Sequence, residues 1–330
     1  MSARAGRVVA LSGGIGGAKL ALGLKRILPP DSLTVVANTG DDFEHMGLHV
    51  SPDIDTLVYT LAGLANTQQG WGRRDETWSF MQAIEALKGE TWFRLGDGDL
   101  AMHVMRTMRL AKGDSLTRIT LDVCAAIGVG AQILPMSDQP VRTRVRSDEG
   151  WIDFQDYFVG RQSQPVVREL RYDGAQIAQP AEGVIEALSA ADIEAIVICP
   201  SNPLISIDPI LSVPGIETAI RHASAPVVAV SPIIAGKAVK GPTAKMLQEL
   251  GLEATAATVL QRYAGLLDGY IADPRDMESL EAVNSGVSLL AADIMMVSLQ
   301  DRERLAGTVM DMAEALASTR RDAKADTGNT

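Results

Sequence analysis

The chain has 330 residues, of which 46% are hydrophobic and only 4% aromatic, and its net charge is −11. That is material for one large α/β domain or two modest ones, with Ala, Leu, Ile and Val to pack helices on a parallel sheet. The acidic balance argues against nucleic acid or an anionic membrane as partner, since both need a basic face.

Cys124 and Cys199 lie in apolar runs without metal-ligand spacing and read as buried free thiols of a reducing compartment. The first apolar run is too short for a signal peptide, and no run approaches the roughly 20 apolar residues of a membrane span. The expectation is a cytoplasmic protein that handles small molecules.

The run Arg7 to Leu11 predicts a strand, and Ser12-Gly-Gly-Ile-Gly-Gly-Ala-Lys19 leads from it into a helical pattern from Ala18 to Leu28. Strand, glycine turn and helix form a phosphate cradle, because bare backbone admits an anion and the helix N-terminus favours negative charge. The turn fits neither common fingerprint. Ala18-Lys19-Leu20 lacks the Gly-Lys-Ser/Thr of a Walker A loop, and Lys19 stands where a dinucleotide fold needs its third small residue. A plain tight turn is the bland alternative.

A second buried strand is expected over Leu33 to Ala37, broken by Asn38, Thr39 and Gly40. Asp41 and Asp42 follow at once. Asp53 and Asp55 come next, placed by Ser51-Pro52 at the start of an apolar segment, Ile54 to Leu61, with a helix expected over Thr56 to Ala65. Four carboxylates in fifteen residues repel unless a cation or proton sits between them, and Mg²⁺ takes oxygen ligands of this kind. The alternative is that Asp41 and Asp53 merely cap turns and helices.

Trp71 and Trp78 can stack on a flat heterocycle or belong to the core, with Arg73 and Arg74 near enough for a phosphate. Asp97 and Asp99 sit in a glycine turn before a helix over Ala101 to Leu110; an EF-hand is excluded by the missing distant Glu. His103, on that helix, reads as a packed residue rather than a ligand.

Between about 127 and 175 the pattern changes to short alternating runs, which predicts an inserted, mainly antiparallel subdomain. Its first run is Ala131 to Leu134, and its polar residues Asp138, Arg142 and Gln155 are expected at the surface. The α/β rhythm then resumes. Strands at Ala195 to Cys199 and Val227 to Val230 are each followed by a polar loop: Pro200 to Pro209 with Ser201, Asn202 and Ser206, and Ser231 to Pro242 with Lys237 and Lys240. Residues 1–317 read as a single α/β catalytic domain, closed by a helix from Arg302 to Leu316, and 318–330 as a disordered tail.

Ligands of open parallel sheets bind beyond the carboxyl ends of strands. A parallel sheet would bring all four polar loops to one edge, joining glycine amides, aspartates, serines and lysines. That is equipment for phosphoryl transfer, where positioning and charge neutralisation do most of the catalysis. No Ser/His/Asp or Cys/His arrangement stands out.

The ordered motifs SGGIGGAK, NTGDD, SPDIDTLVYTLAG, GWGRRDETW, LGDGDLAMH, ILPMSDQPVRT, FQDYFV, PSNPLISIDPIL and VSPIIAGKAVKGP resemble the CofD/FbiA family of 2-phospho-L-lactate transferases, from about Val8 to Leu305. The resemblance implies a Rossmann-like three-layer core, a homodimer, and Mg²⁺ as cofactor. It implies transfer of 2-phospho-L-lactate or phosphoenolpyruvate from a guanylate diphosphate donor to the terminal ribityl hydroxyl of the deazaflavin Fo. GMP would leave, in coenzyme F420 biosynthesis.

By the same resemblance, Gly13, Gly14, Gly16 and Gly17 approach the donor, with Asn38, Ser201, Asn202, Ser206 and Lys240 on its phosphates or base. Asp42 and Asp53 hold metal and, with Asp55, form the catalytic set; Asp55, Trp71, Asp97 and Asp99 serve the acceptor. Two positions depart from the family's wording: Gly98 stands for an arginine, and Asp208 for a glycine. Arg73, Arg74 and Arg106 are candidates to supply the missing guanidinium. Competing readings are a paralogue with another acceptor and a guanylate-binding sensor without transfer.

Overall fold

A computed structural model describes residues 6–238, 241–283 and 285–327, with side chains as far as Arg321. Seven strands form the central sheet: β1 (Arg7–Ser12), β2 (Leu33–Ala37), β3 (Gln132–Pro135), β4 (Ile193–Ile198), β5 (Val227–Val230), β6 (Gly269–Ala272) and β7 (Ser288–Ala291). Every neighbouring pair is parallel and the order is 7-6-5-4-1-2-3. This is a doubly wound sheet whose order reverses between β1 and β4, where such folds bind ligands.

Alternation along β1 shows the three layers. Val8 and Ala10 pack on one face with Leu20 and Leu24 of α1 (Gly14–Ile27) and with Leu305 and Val309 of the closing helix. Val9 and Leu11 pack on the other face among Ile207, Ile210 and Tyr157. A continuous apolar run, Val8 to Leu11, suits a strand covered on both sides. The closing helix crosses α1 at Gly23, where a Cβ would lie 2.1 Å from the Arg302 carbonyl oxygen.

The insertion is a three-stranded antiparallel sheet with Arg142–Ser147 between Gly150–Asp153 and Glu169–Asp173. The run Ala131 to Leu134, expected as part of it, instead supplies edge strand β3, paired in parallel with β2. A short apolar run with β propensity fits either kind of sheet. The closing helix spans Leu299–Thr327, so residues 318–327 are helical where a disordered tail was expected. Small and charged residues such as Ala, Arg and Lys form helices readily, and composition alone does not separate the two states. No helix among the described residues is long and apolar enough to cross a membrane.

Candidate active site

The loops after β1, β2, β4 and β5 line one cleft of about 590 Å³. Gly13, Gly14 and Gly16 come from the first, Asp41 from the second, Ser201, Asn202 and Ser206 from the third, and Ser231 from the fourth. Asp53 and Asp55 enter on α2 (Pro52–Leu61), and Asp99 and His103 on α4 (Asp97–Ala111), which follows α3 (Ser79–Ala86).

The glycine turn is built tightly against its neighbours. A Cβ on Gly13 would lie 2.5 Å from Asp53 Oδ2, and one on Gly16 would lie 2.5 Å from the Pro200 carbonyl oxygen. Gly14 adopts φ +63 and donates its N–H to Asp53 Oδ1 at 2.7 Å. Ser201 Oγ donates to the Gly13 carbonyl at 2.8 Å and fastens the β1 and β4 loops together. Gly17 faces away from the cleft wall, and its missing side chain makes room for the Ser12 and Ser201 hydroxyls.

Asp53 and Asp41 share the side-chain amide of Asn38, which donates 2.8 Å to Asp53 Oδ2 and 3.2 Å to Asp41 Oδ1. Asn38 lies behind the cleft and holds this pair; it also donates to the Ile205 carbonyl at 3.0 Å. Burial raises the Asp41 carboxyl well above its usual range, and the charge of Asp53 adds to the effect. Burial likewise pushes Asp53 up to about 6, against the hydrogen bonds from Asn38 and Gly14. Among the described residues neither carboxylate has a Lys, Arg or His ion-pair partner.

Asp42, expected at the metal, turns away from the cleft and is 2% exposed. Its Oδ2 accepts from Ser51 Oγ at 2.8 Å and lies 3.1 Å from His49 Nε2. Adjacent positions in a turn point to different sides, so Asp41 takes the cleft-facing place. Two oxygen-donor side chains with no ion-pair partner among the described residues and open space beside them suit Mg²⁺, which keeps several waters and substrate phosphates. The fitting pair is therefore Asp41 and Asp53.

A second polar group lies on α2 and α4. Arg106 is buried and pairs bidentately with Asp55; its Nη1 is 3.2 Å from Asp55 Oδ2. The same Nη1 is 3.4 Å from His103 Nδ1, which assigns the acceptor role to Nδ1 and the proton to Nε2, 3.4 Å from Asp99 Oδ2. Tyr59 donates its hydroxyl to Asp99 at 2.6 Å. Burial works against ionising Asp99, but His103, Tyr59 and Arg106 outweigh it and hold its carboxyl below the usual value. Burial raises Asp55 in spite of Arg106. Asp55, Asp99 and His103 are close enough to hold a cation, yet Arg106 already supplies the counter-charge. His103, read from the sequence as a packed residue, is both buried and part of the cleft wall.

Asp97 does not line the cleft. It accepts from Thr77 Oγ1 at 2.5 Å, Ser79 N at 3.1 Å and Phe80 N at 3.0 Å, and so caps α3. Glu76 reciprocates at α4, accepting from Gly98 N at 2.7 Å and Asp99 N at 2.9 Å. Gly98 permits this closeness: a Cβ there would lie 2.2 Å from Arg73 Nη1. Of the three candidate arginines, Arg73 therefore occupies the ground that a side chain at 98 would need. Arg106 is committed to Asp55, and Arg74 pairs with Asp75 at the surface. Asp208, the other departure, is mostly buried, pairs with Arg262 and receives the Tyr172 hydroxyl at 3.4 Å.

Trp71 lines the cleft and is 47% exposed, with Trp78 edge-on at 6.4 Å. Trp92, Phe93, Phe154 and Phe158 also line it and escaped the sequence reading. The last two flank Gln155, which was expected at the surface but is buried in the cleft wall, its Nε2 3.5 Å from the Asp41 carbonyl oxygen. The pairs Trp92-Phe93 and Phe154 with Phe158, close in sequence in an aromatic-poor chain, were the available signal. Lys240 lies outside the described residues, and Lys237 is exposed.

A family model described as 2-phospho-L-lactate transferase CofD matches residues 8–306. The chain belongs to the CofD family. Within it, the chain is 42% identical over 315 residues to a phosphoenolpyruvate transferase of Streptomyces griseus, covering 93% of this chain and 98% of that one. It is 37% identical over 310 residues to a 2-phospho-L-lactate transferase of Methanosarcina acetivorans, covering 94% and 100%. The fold matches protein BH3568 of Bacillus halodurans with a TM-score of 0.61 at 16% identity, over 92% and 99% of the two chains. As a CofD family member the chain is a transferase.

Proposed function

We propose that this CofD protein transfers a phospho-organic-acid group from a guanylate diphosphate donor to the terminal ribityl hydroxyl of the deazaflavin Fo, in coenzyme F420 biosynthesis. The acceptor oxygen forms a bond to the phosphorus that bears the organic acid. The bond from that phosphorus to the bridging oxygen breaks, GMP leaves with the electron pair, and the hydroxyl proton passes to solvent water. The observation that carries this reading is one cleft that joins a bare carboxylate pair at a glycine turn to a set of exposed aromatic rings.

Each part has a role in that reaction. Bound Mg²⁺ would neutralise the diphosphate and the charge building on the leaving GMP. Asp41 and Asp53 would hold it, aligned by Asn38 and by the Gly14 N–H. The glycine turn lets the donor phosphates approach the backbone, and Ser206 and Asn202 stand across from it. Trp71 and Trp92 offer faces to the deazaflavin ring. Asp55 and Asp99, fixed by Arg106, His103 and Tyr59, offer oriented acceptors for ribityl hydroxyls.

The greater identity to phosphoenolpyruvate transferases supports the phosphoenolpyruvyl donor over the lactyl one. Incubating the protein with Fo, Mg²⁺ and each guanylate donor, with products read by mass spectrometry, tests this. The phosphoenolpyruvyl diester of Fo is the expected product. A diester with the lactyl donor alone would overturn the donor assignment. Donor turnover with an acceptor other than Fo would identify a divergent paralogue.

A further inference from the structure

We infer that Arg94 reads the oxygen-bearing edge of the flat acceptor, an inference that rests on the acceptor assignment above. Arg94 lines the cleft, and its guanidinium carbon stands 4.3 Å from the centroid of the Trp78 ring. Stacking on the indole holds the guanidinium plane and leaves its in-plane N–H groups free to bond. Among the described residues Arg94 has no carboxylate at ion-pair distance. The other arginines of this region are spoken for: Arg73 by Glu76 and Arg106 by Asp55. In a chain of net charge −11, an uncommitted guanidinium at a cleft wall is an available recognition group.

The chemistry of the partner follows from the donors. A guanidinium has five N–H groups and no acceptor, so it needs oxygen lone pairs. Its neighbours are aromatic: Trp78 beneath it, Trp71 edge-on to Trp78, and Trp92 and Phe93 just before it in the chain. A flat heterocycle seated among these rings would present ring carbonyls or an ionised phenolic oxygen to Arg94. A phosphate is the other oxygen source. The phosphate-side features, the glycine turn and the Asp41–Asp53 pair, are built from different residues.

The test uses the full chain and its Arg94→Ala and Arg94→Lys variants, checked for unchanged thermal melting. Fo binding is followed by Fo fluorescence, and KM is measured separately for Fo and for the guanylate donor. Arg94→Ala should weaken Fo binding and raise its KM about 10-fold or more, with donor KM unchanged within about 2-fold. Arg94→Lys should not restore Fo binding, because an ammonium lacks the planar fork. Unchanged Fo affinity in Arg94→Ala, or a loss confined to the donor, overturns the inference while leaving the acceptor reading intact. Failure of the wild-type chain to bind Fo overturns both.

Discussion

The Gly14 N–H donates to Asp53 Oδ1 at 2.7 Å, so the first turn of α1 and the first turn of α2 are one unit. The helix N-terminus favours the charged form of Asp53, and burial opposes it. Burial wins, and the carboxyl sits near 6. Burial, with the charge of Asp53 added, raises the neighbouring Asp41 as well, so the pair resists carrying two charges that a divalent cation would neutralise.

The burial of Asp53 gives a pH signature. Asp53 has a higher pKa in the folded chain than in the unfolded one, so the folded state binds more protons between roughly pH 4 and 6. Stability from this group is present below the unfolded value and is lost as pH rises toward 6. Without divalent cation, Asp53→Asn should melt higher than wild type at pH 7, by on the order of 1–2 kcal/mol, and the two should converge near pH 4. Added Mg²⁺ should raise the wild-type melting temperature more at pH 7 than at pH 5 and leave Asp53→Asn unmoved. Transfer activity of the variant should fall about 100-fold or more.

Gly16→Ala should be costly. The added methyl meets the Pro200 backbone carbonyl at 2.5 Å, and neither β1 nor β4 can retreat without opening the sheet. A loss of about 1–3 kcal/mol in urea unfolding is expected, with donor KM raised. Gly98→Ala contrasts with it, because the atoms in the way, Arg73 Nη1 at 2.2 Å and Glu76 Oε1 at 3.0 Å, are the far ends of flexible side chains. That variant should keep wild-type stability within about 0.5 kcal/mol.

Arg106→Met leaves Asp55 buried without its partner. Breaking a buried pair from one side costs about 3–5 kcal/mol, which chemical denaturation would register. The double variant Arg106→Met with Asp55→Leu should recover part of that stability, though not activity.

Much of this arrangement is legible in the sequence because strands covered on both faces are continuous apolar runs. Val8 to Leu11, Val35 to Ala37 and Val227 to Val230 announce themselves, and the polar loops after them mark the ligand edge. β7 escaped: Ser288–Ala291 is a partly exposed edge strand, without the buried run that signals a central one. Side-chain direction within a turn is not periodic, so Asp41 and Asp42 cannot be ranked from their order, nor can Asp97 and Asp99. Tyr59 meets Asp99, and Asp55 meets Arg106, because α2 and α4 pack together, a contact between segments some forty to fifty residues apart. The aromatic wall likewise joins Trp92 to Phe158 across the insertion.

GMP release from the guanylate donor, measured with and without Fo in the presence of Mg²⁺, tests the central claim most directly. Acceptor-dependent transfer predicts GMP and the Fo phosphodiester in equal amounts, and negligible GMP when Fo is omitted. GMP released at the same rate without Fo, or no GMP with any donor while Fo is bound, would contradict it.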